Sequence, residues 1–252
     1  MPHPFFSSNG FLLINNFFNQ QELSNLTHIV SRFHRGWKEN NEEFYQTKAV
    51  NSSGLTEGKY INSMQRLSLF KFLATNKLVD MVHLVLGEPA AFMNTQLFFD
   101  PVTIGQKNYW HRDFQYHLSE QEQKTALFGS EVVHFRIPLV DEPGIELMAG
   151  SHKRWDSHTE LAVRSSRNGH LPHNDLANSC VIKLNAGDLL IFSAKMIHRG
   201  LYGNNRLAFD AIFFESNPAL AKPIAKVYLP NELELQQLEN PVIFKETIKL
   251  KL

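Results

Sequence analysis

Residues 185–192 read Asn185-Ala186-Gly187-Asp188-Leu189-Leu190-Ile191-Phe192, a turn signal that runs directly into an apolar strand. Short runs rich in β-branched and aromatic residues recur on both sides of this stretch. We predict strands at 92–99, 108–111, 132–139, 180–184, 189–192 and 206–214. Turn residues separate these runs, for example at 100–101 and 141–144. Many short strands punctuated in this way predict a barrel built from two sheets.

Helical patterns come before the strands. Residues 10–14 form a short apolar run that predicts a strand, and Asn19 followed by Glu22 matches a helix capping box. Apolar residues then recur at helical spacing as far as Phe33. A second helix is predicted over residues 76–86, where Gly87 and a nearby proline end it. Helices first and strands afterwards predict an α+β protein, mainly β in its core.

The chain shows no internal repeat and no linker rich in glycine, serine or proline. We therefore predict a single domain over residues 1–252. It would comprise a helical flank at about 1–90, a strand-rich core at about 91–216 and a C-terminal tail at 217–252. The polar segment 151–179 lacks a clear period and is expected to be a long functional or mobile loop.

The composition favours a soluble protein that acts on small molecules. Lys+Arg and Asp+Glu both number 25, so there is no net charge to suggest a nucleic-acid partner. Hydrophobic residues make up 43% of the chain, but no apolar run is long enough to span a membrane. A single cysteine cannot form an internal disulfide. We expect a cytoplasmic location, and the sequence leaves the oligomeric state open.

A histidine and a carboxylate two residues apart, His111 and Asp113, provide the first chemical signal. Residues i and i+2 of a strand point to the same face, so both side chains could reach one metal ion. Two imidazoles and one carboxylate on one face are the donor set of non-haem Fe(II) oxygenases. The spacing alone is weak evidence, because 12 histidines make chance pairs common. Alternative pairs occur in the polar segment, at His173/Asp175 and His158/Glu160.

The third ligand is expected from a distant strand, and His198 follows the run at 189–192. Eight residues later, Arg206 opens the next predicted strand. An arginine that faces a barrel interior requires an anionic partner, and a guanidinium pairs with a carboxylate in a two-pronged geometry. Two interpretations of Arg206 remain open: it binds the carboxylate of a co-substrate, or it forms a structural ion pair. Arg199 is the fallback, although beside His198 it would point away from the site.

Other polar residues lie on predicted strands. Gln96 and Asn94 alternate along one strand and would line a co-substrate pocket. His134 either faces the barrel interior or is a core histidine with satisfied hydrogen bonds, and we favour the second interpretation. His152 is expected to be structural or to support a ligand rather than to bind metal.

Several segments in this order resemble the phytanoyl-CoA dioxygenase family, a branch of the Fe(II)- and 2-oxoglutarate-dependent oxygenases. The matching segments are residues 9–14, 109–113, 137–141, 148–153 with its Gly-Ser-His ending, and 186–192 followed by His198, Gly200 and Asn204. The resemblance implies a double-stranded β-helix (jelly-roll) core. It also implies that His111, Asp113 and His198 bind iron and that Arg206 binds 2-oxoglutarate, with O2 as the second co-substrate.

The chain departs from the family pattern near its distal histidine. Gly200 stands where the family often has serine, and Arg206 is closer to His198 than the family's arginine usually is. Ala149 replaces a frequent proline.

Three functions compete on this sequence. The favoured one is an oxygenase that hydroxylates a small molecule and releases succinate and CO2. The others are a catalytically silent jelly-roll protein that binds a ligand, and a cupin-type metalloenzyme that does not use 2-oxoglutarate. The carboxylate at Asp113 disfavours a halogenase, which would have a small residue there. Desaturation, epoxidation and cyclisation remain open.

Overall fold

The structure is a computed structural model that describes residues 3–252. Ten α-helices, α1 to α10 in chain order, are assigned in this range: Pro4–Asn9, Gln20–Asn40, Glu42–Thr47, Ser63–Leu73, Asn76–Leu86, Glu120–Leu127, His158–Arg164, Pro218–Ala221, Glu232–Leu235 and Val242–Leu250. Nine strands, β1 to β9, span Phe11–Ile14, Asn51–Ser53, Ala90–Phe99, Val132–Pro138, Glu142–Leu147, Cys180–Leu184, Leu189–Ser193, His198–Gly200 and Leu207–Glu215. Short 3-10 helices lie at Leu55–Glu57, Asp113–Tyr116, Ser151–Lys153 and Lys226–Tyr228.

The strands form two antiparallel sheets. The larger has the order β1-β7-β4-β9-β3-β2, and the smaller has the order β6-β5-β8. A buried cluster joins the sheets, with Ile145 and Leu147 of the small sheet packed among Leu190 and Phe192 of the large one. The two sheets therefore enclose an interior, as the sequence predicts.

The large sheet separates two environments because successive side chains point to opposite faces. On β4, Val133, Phe135 and Ile137 pack into the main hydrophobic core with the helices. His134 and Arg136 alternate with them and point to the other face, towards the interior between the sheets. Helices α2, α4, α5 and α10, whose side chains enter this core, thus cover the outer face of the sheet, and the inner face is free to carry polar groups.

The predicted N-terminal elements are confirmed. The helix α2 begins after Asn19, whose side chain accepts from the backbone N–H of Glu22 in a complete capping box. Its residues Leu26, Val30 and Phe33 enter the main core. The predicted strand at 10–14 is β1, and the predicted helix at 76–86 is α5.

The C-terminal segment packs on the same core. Phe244 of α10 is fully buried and meets Phe70 edge-on, with ring centroids 5.3 Å apart. The hydroxyl of Thr247 accepts from the backbone N–H of Phe92 at 2.9 Å and lies 2.8 Å from the carbonyl of the same residue. The first contact ties the tail to helix α4, and the contacts of Thr247 tie it to strand β3.

Three local predictions were wrong. Residues 108–111 do not form a strand; His111 makes only an isolated bridge. The predicted turn at 141–144 lies largely within strand β5, because Gly144 adopts a positive φ at a register shift that keeps the pairing with β6. The predicted loop 151–179 contains a 3-10 turn and helix α7, which a capping box from Ser157 to Glu160 starts.

No helix within residues 3–252 combines the length and the apolar character needed to cross a membrane.

Candidate functional site

Three side chains meet in the interior between the two sheets: His111 and Asp113 from one segment, and His198 from strand β8 of the small sheet. One ligand atom from each of His111, Asp113 and His198 lies within 4.8 Å of the other two. The Oδ1 atom of Asp113 lies 3.5 Å from Nε2 of His111 and 3.6 Å from Nε2 of His198. This is the donor set that the sequence predicts for a metal ion.

Backbone pairing holds the two histidines side by side. His111 and His198 exchange two backbone hydrogen bonds of 2.9 Å in an antiparallel bridge. In each ring Nδ1 faces a backbone carbonyl at 3.1 Å, that of Tyr109 or of Met196. A carbonyl only accepts a hydrogen bond, so Nδ1 carries the proton. The lone pair of Nε2 is then free to bind a metal. Burial, followed by the neighbouring His111, lowers the pKa of His198 to about 3, which favours the neutral ring that a metal requires.

Asp113 comes from a turn rather than a strand. It is the first residue of the 3-10 helix that ends at Tyr116, and its backbone N–H donates to the carbonyl of Ala194 at 3.3 Å. Burial alone would raise the pKa of its carboxyl group, but His134 and His198 hold that pKa well below the usual range. The carboxylate is therefore ionised, as a metal ligand must be.

Arg112, which lies between His111 and Asp113, anchors this segment. Its fully buried guanidinium pairs with Asp156 at 2.6 Å and donates to the carbonyl of Ser151 at 3.0 Å. Arg164 of α7 binds the other oxygen of Asp156 at 2.5 Å. The segment 151–179, predicted to be a loop, thus supplies the carboxylate of Asp156 that pairs with Arg112.

A chain of polar contacts leads from Asp113 across the inner face of the sheet. His134 Nε2 lies 2.8 Å from Oδ2 of Asp113, and its Nδ1 lies 3.0 Å from Asp210. Arg136 donates to both oxygens of Asp210, at 2.8 and 3.2 Å. Burial would lower the pKa of His134, but Asp113 and then Asp210 raise it to about 9. The favoured interpretation of His134 as a core histidine is therefore wrong: it lines the interior next to a predicted ligand.

The triad opens into a cavity of about 660 Å³. Arg206 lines this cavity, is 3% exposed, and donates through Nε to Glu142 at 3.1 Å. No hydrogen bond within residues 3–252 involves its two terminal nitrogens. These nitrogens lie against Gly200, where a Cβ atom would stand 2.7 to 2.8 Å from them. Arg206 thus forms a structural ion pair through Nε, while its two terminal nitrogens are free, so binding of a co-substrate carboxylate stays a prediction.

The other predicted site residues divide between the cavity and its surroundings. Gln96 lines the cavity. Asn94 is not among the lining residues, because its side chain accepts from the backbone N–H of Thr95 next to a register shift in β3. Arg199 faces away and binds Glu146 and Asp175, each at 2.7 Å.

The alternative pairs and His152 lie apart from the triad. His173 and Asp175 both contact Arg199 instead, the former through its backbone carbonyl. Glu160 binds Arg154. His152 contacts the carbonyl of Ser7 at 3.3 Å and is not a lining residue.

The residues fit a divalent transition metal and a dicarboxylate. Two neutral imidazole nitrogens and one carboxylate oxygen form the 2-His-1-carboxylate facial triad, which suits Fe(II) and leaves positions open. Arg206 offers a free, buried two-pronged donor in the same cavity, and such a donor matches a carboxylate. Gly200 leaves the space that the fork occupies.

Comparison with known proteins finds one matching family model and several similar solved structures. The sequence model of the phytanoyl-CoA dioxygenase family matches residues 6–205. No curated protein matches the chain. The structure is similar to the apoform of EctD from S. alaskensis, with TM-score 0.60 and 15% identity over 89% of this chain and 78% of that one.

Two further solved structures have the same fold. HygX from Streptomyces hygroscopicus, crystallised with nickel and 2-oxoglutarate, has TM-score 0.60 and 16% identity over 84% of both chains. SnoN, a non-heme α-ketoglutarate-dependent epimerase from nogalamycin biosynthesis, has TM-score 0.56 and 14% identity over 84% of this chain and 79% of that one. At such identities the likeness establishes the fold, and the predicted jelly-roll class is confirmed.

Proposed function

Because this chain belongs to the phytanoyl-CoA dioxygenase family, within the Fe(II)- and 2-oxoglutarate-dependent oxygenases, we propose that it hydroxylates an uncharged small molecule, with release of succinate and CO2. One observation supports this proposal most directly. The triad of His111, Asp113 and His198 shares its cavity with a buried arginine whose terminal nitrogens are free. A cupin-type metal site or a silent ligand-binding protein would not require that arginine.

The protein's own residues would act by holding and orienting the reactants. Nε2 of His111 and of His198 and Oδ1 of Asp113 would hold the metal, and Arg206 would bind the distal carboxylate of 2-oxoglutarate. When bound, the iron and the 2-oxoacid supply the oxidising chemistry that activates O2. The aromatic and aliphatic side chains of Phe98, Phe192 and Ile212 line the cavity and would limit the access of water.

The cavity wall indicates the substrate class. Three tyrosines, Tyr109, Tyr116 and Tyr202, line it together with aliphatic residues and small polar ones. Within residues 3–252, Lys195 is the one charged lining side chain besides the triad, the histidines and the two arginines. Its ammonium group is already used, since it donates to the carbonyl of Gly129 at 2.7 Å and lies 3.4 Å from Glu131.

A phosphate-bearing substrate such as a CoA thioester would need free cations, and this wall offers none beyond the site itself. We therefore propose a substrate without charge, whose hydroxyl or ring faces contact the tyrosines. Its size is bounded by the part of the 660 Å³ that the co-substrate leaves free.

The test is an anaerobic titration of the Fe(II)-loaded protein with 2-oxoglutarate, followed by the visible absorption of the chelated 2-oxoacid. We expect this absorption in the wild type, its loss in His111→Ala or Asp113→Ala, and weaker binding in Arg206→Ala. His173→Ala, which alters the other His-x-Asp pair, is the matched control and should behave as the wild type. Iron binding without the absorption would support a cupin-type site, and the absence of both would identify a silent relative.

A further inference from the structure

The two oxygens of the Asp113 carboxylate face different groups. Oδ1 faces the two histidines of the triad, at 3.5 and 3.6 Å. Oδ2 faces a third histidine, His134, whose Nε2 lies 2.8 Å away. We propose that His134 is a positioning residue for the metal centre, which occupies Oδ2 so that Asp113 presents only Oδ1 to the metal. This inference rests on the proposed function, because it assumes that the triad holds a divalent ion.

The imidazole of His134 can do this because it is itself fixed. The side chain is 6% exposed and stacks on Phe192, with ring centroids 4.8 Å apart and planes 16° apart. Its second nitrogen, Nδ1, lies 3.0 Å from Oδ2 of Asp210. Both partners are carboxylates, which only accept, so both ring nitrogens donate.

Asp210 is held in turn from the neighbouring strand. It stands opposite Arg136 in the β4–β9 pairing and accepts two hydrogen bonds from it. Its side chain is fully buried. Both ring nitrogens of His134 are thus engaged, one by Asp210 and one by Asp113, and these two contacts set the orientation of the ring.

Asp113 requires such a support more than the other two ligands do. His111 and His198 are fixed by their mutual backbone bridge and by carbonyls at Nδ1. Asp113 instead opens a 3-10 turn, and 32% of its side chain is accessible. A carboxylate with both oxygens free could bind a metal through either or both of them. With Oδ2 engaged by His134, the second oxygen is withheld and a coordination position stays open for the co-substrate.

The experiment measures metal affinity directly, with Mn(II) titrated by calorimetry into the full-length metal-free protein without 2-oxoglutarate or substrate. We expect His134→Ala to weaken binding about 10- to 100-fold, the usual effect of losing a partner that orients a metal ligand. His134→Gln should recover part of the affinity, because its amide N–H can reach the position of Nε2. His152→Ala removes a histidine of equal burial, 6% exposed, that lies outside the cavity lining, and it serves as the control with wild-type affinity.

Thermal denaturation of each metal-free variant separates positioning from general loss of structure. If His134 were purely structural, His134→Ala would lower the melting temperature, but the folded fraction would still bind Mn(II) with wild-type affinity. This result would overturn the inference and leave the proposed function intact. If the wild type itself binds no divalent ion, the proposed function fails together with the inference. Weaker binding in His134→Ala with recovery in His134→Gln supports it.

Discussion

Substitution of Gly200 by alanine should weaken co-substrate binding while leaving the fold almost unchanged. The added Cβ would stand 2.7 Å from Nη2, 2.8 Å from Nη1 and 3.1 Å from Cζ of Arg206. Ordinary carbon contacts begin at about 3.5 Å, so the guanidinium must move by roughly 0.7 Å. Gly200 does not have a positive φ, so the backbone accepts alanine without strain. The neighbour that must move is the far end of a side chain, which limits the loss of stability.

The guanidinium cannot move freely, because Arg206 is buried and its Nε is held by Glu142 at 3.1 Å. A shift of this size would break one prong of a two-pronged contact with a carboxylate. A hydrogen bond to a charged group contributes about 1.5 to 3 kcal/mol. At about 1.4 kcal/mol for each factor of ten, the dissociation constant of 2-oxoglutarate should rise about 10- to 100-fold.

Calorimetric titration of the Mn(II)-loaded protein with 2-oxoglutarate measures this change. Gly129→Ala is the matched control, since Gly129 also lines the cavity and the atom nearest to its added Cβ would be the backbone oxygen of Ala126, at 3.3 Å, rather than Arg206. In an Arg206→Lys background, Gly200→Ala should have little further effect, because the crowded fork is gone. Wild-type affinity in Gly200→Ala, together with lost affinity in Arg206→Lys, would refute the reasoning.

Three further predictions concern stability. Burial lowers the pKa of His34 from 6.5 to about 4, so as pH falls the unfolded chain takes up the proton first and stability declines between about pH 6.5 and 4. His34→Phe should remove about 1 to 2 kcal/mol of this decline after allowance for partial exposure, and urea unfolding at pH 7 and pH 5 tests it; an unchanged pH dependence contradicts it. Asp156→Ala leaves Arg112 buried without its partner and should destabilise the protein by about 3 to 5 kcal/mol, a fall of roughly 6–20 °C in melting temperature. A fall of only a degree or two would show that the pair is not needed. Thr247→Val breaks the hydroxyl contacts to the Phe92 backbone and should lower the free energy of unfolding by about 1 to 3 kcal/mol, whereas Thr247→Ser should lose less. If Thr247→Val and Thr247→Ser had the same free energy of unfolding in urea, the hydroxyl would not be needed.

The sequence predicts the membership of the triad better than its local geometry. His111 and Asp113 were expected on one strand face, because residues i and i+2 of a strand share a face. The structure brings them together with His198 by another route: an isolated bridge for His111 and a 3-10 turn for Asp113. The spacing of two also suits this turn, so the residues that the structure brings together were predicted from a wrong local conformation. Their role as ligands stays a prediction.

The support of the triad was missed, although a signal for it is present in the sequence. In strand β4, His134 and Arg136 alternate with Val133, Phe135 and Ile137. Two polar residues at spacing two within an apolar strand must share one face, and that face cannot be the hydrophobic core. Asp210 likewise stands alone among apolar residues of β9, opposite Arg136. What the sequence cannot give is the register that pairs these strands.

The missed helices have a different physical cause. Helix α7 has seven residues and lies in a polar segment without an apolar period. A helix this short is not stable alone and depends on tertiary contacts. Here Arg164 supplies one of them through Asp156, which also holds Arg112. Arg112 and Asp156 are 44 residues apart in the chain, and a contact over that separation cannot be read from local periodicity.

The two departures from the family pattern near the distal histidine are, in physical terms, one departure. Arg206 lies only eight residues after His198, directly before strand β9, and its terminal nitrogens lie against Gly200. A serine there would place its Cβ where the fork now stands, so the closer arginine requires glycine. Asp100 fixes the intervening turn by accepting from the backbone N–H groups of Gly203 and Arg206, at 2.7 and 3.0 Å. A relative that keeps the serine should therefore need the longer spacing, and Gly200→Ser in this chain should disturb 2-oxoglutarate binding more than Gly200→Ala, because its hydroxyl adds bulk without a matching shift of Arg206.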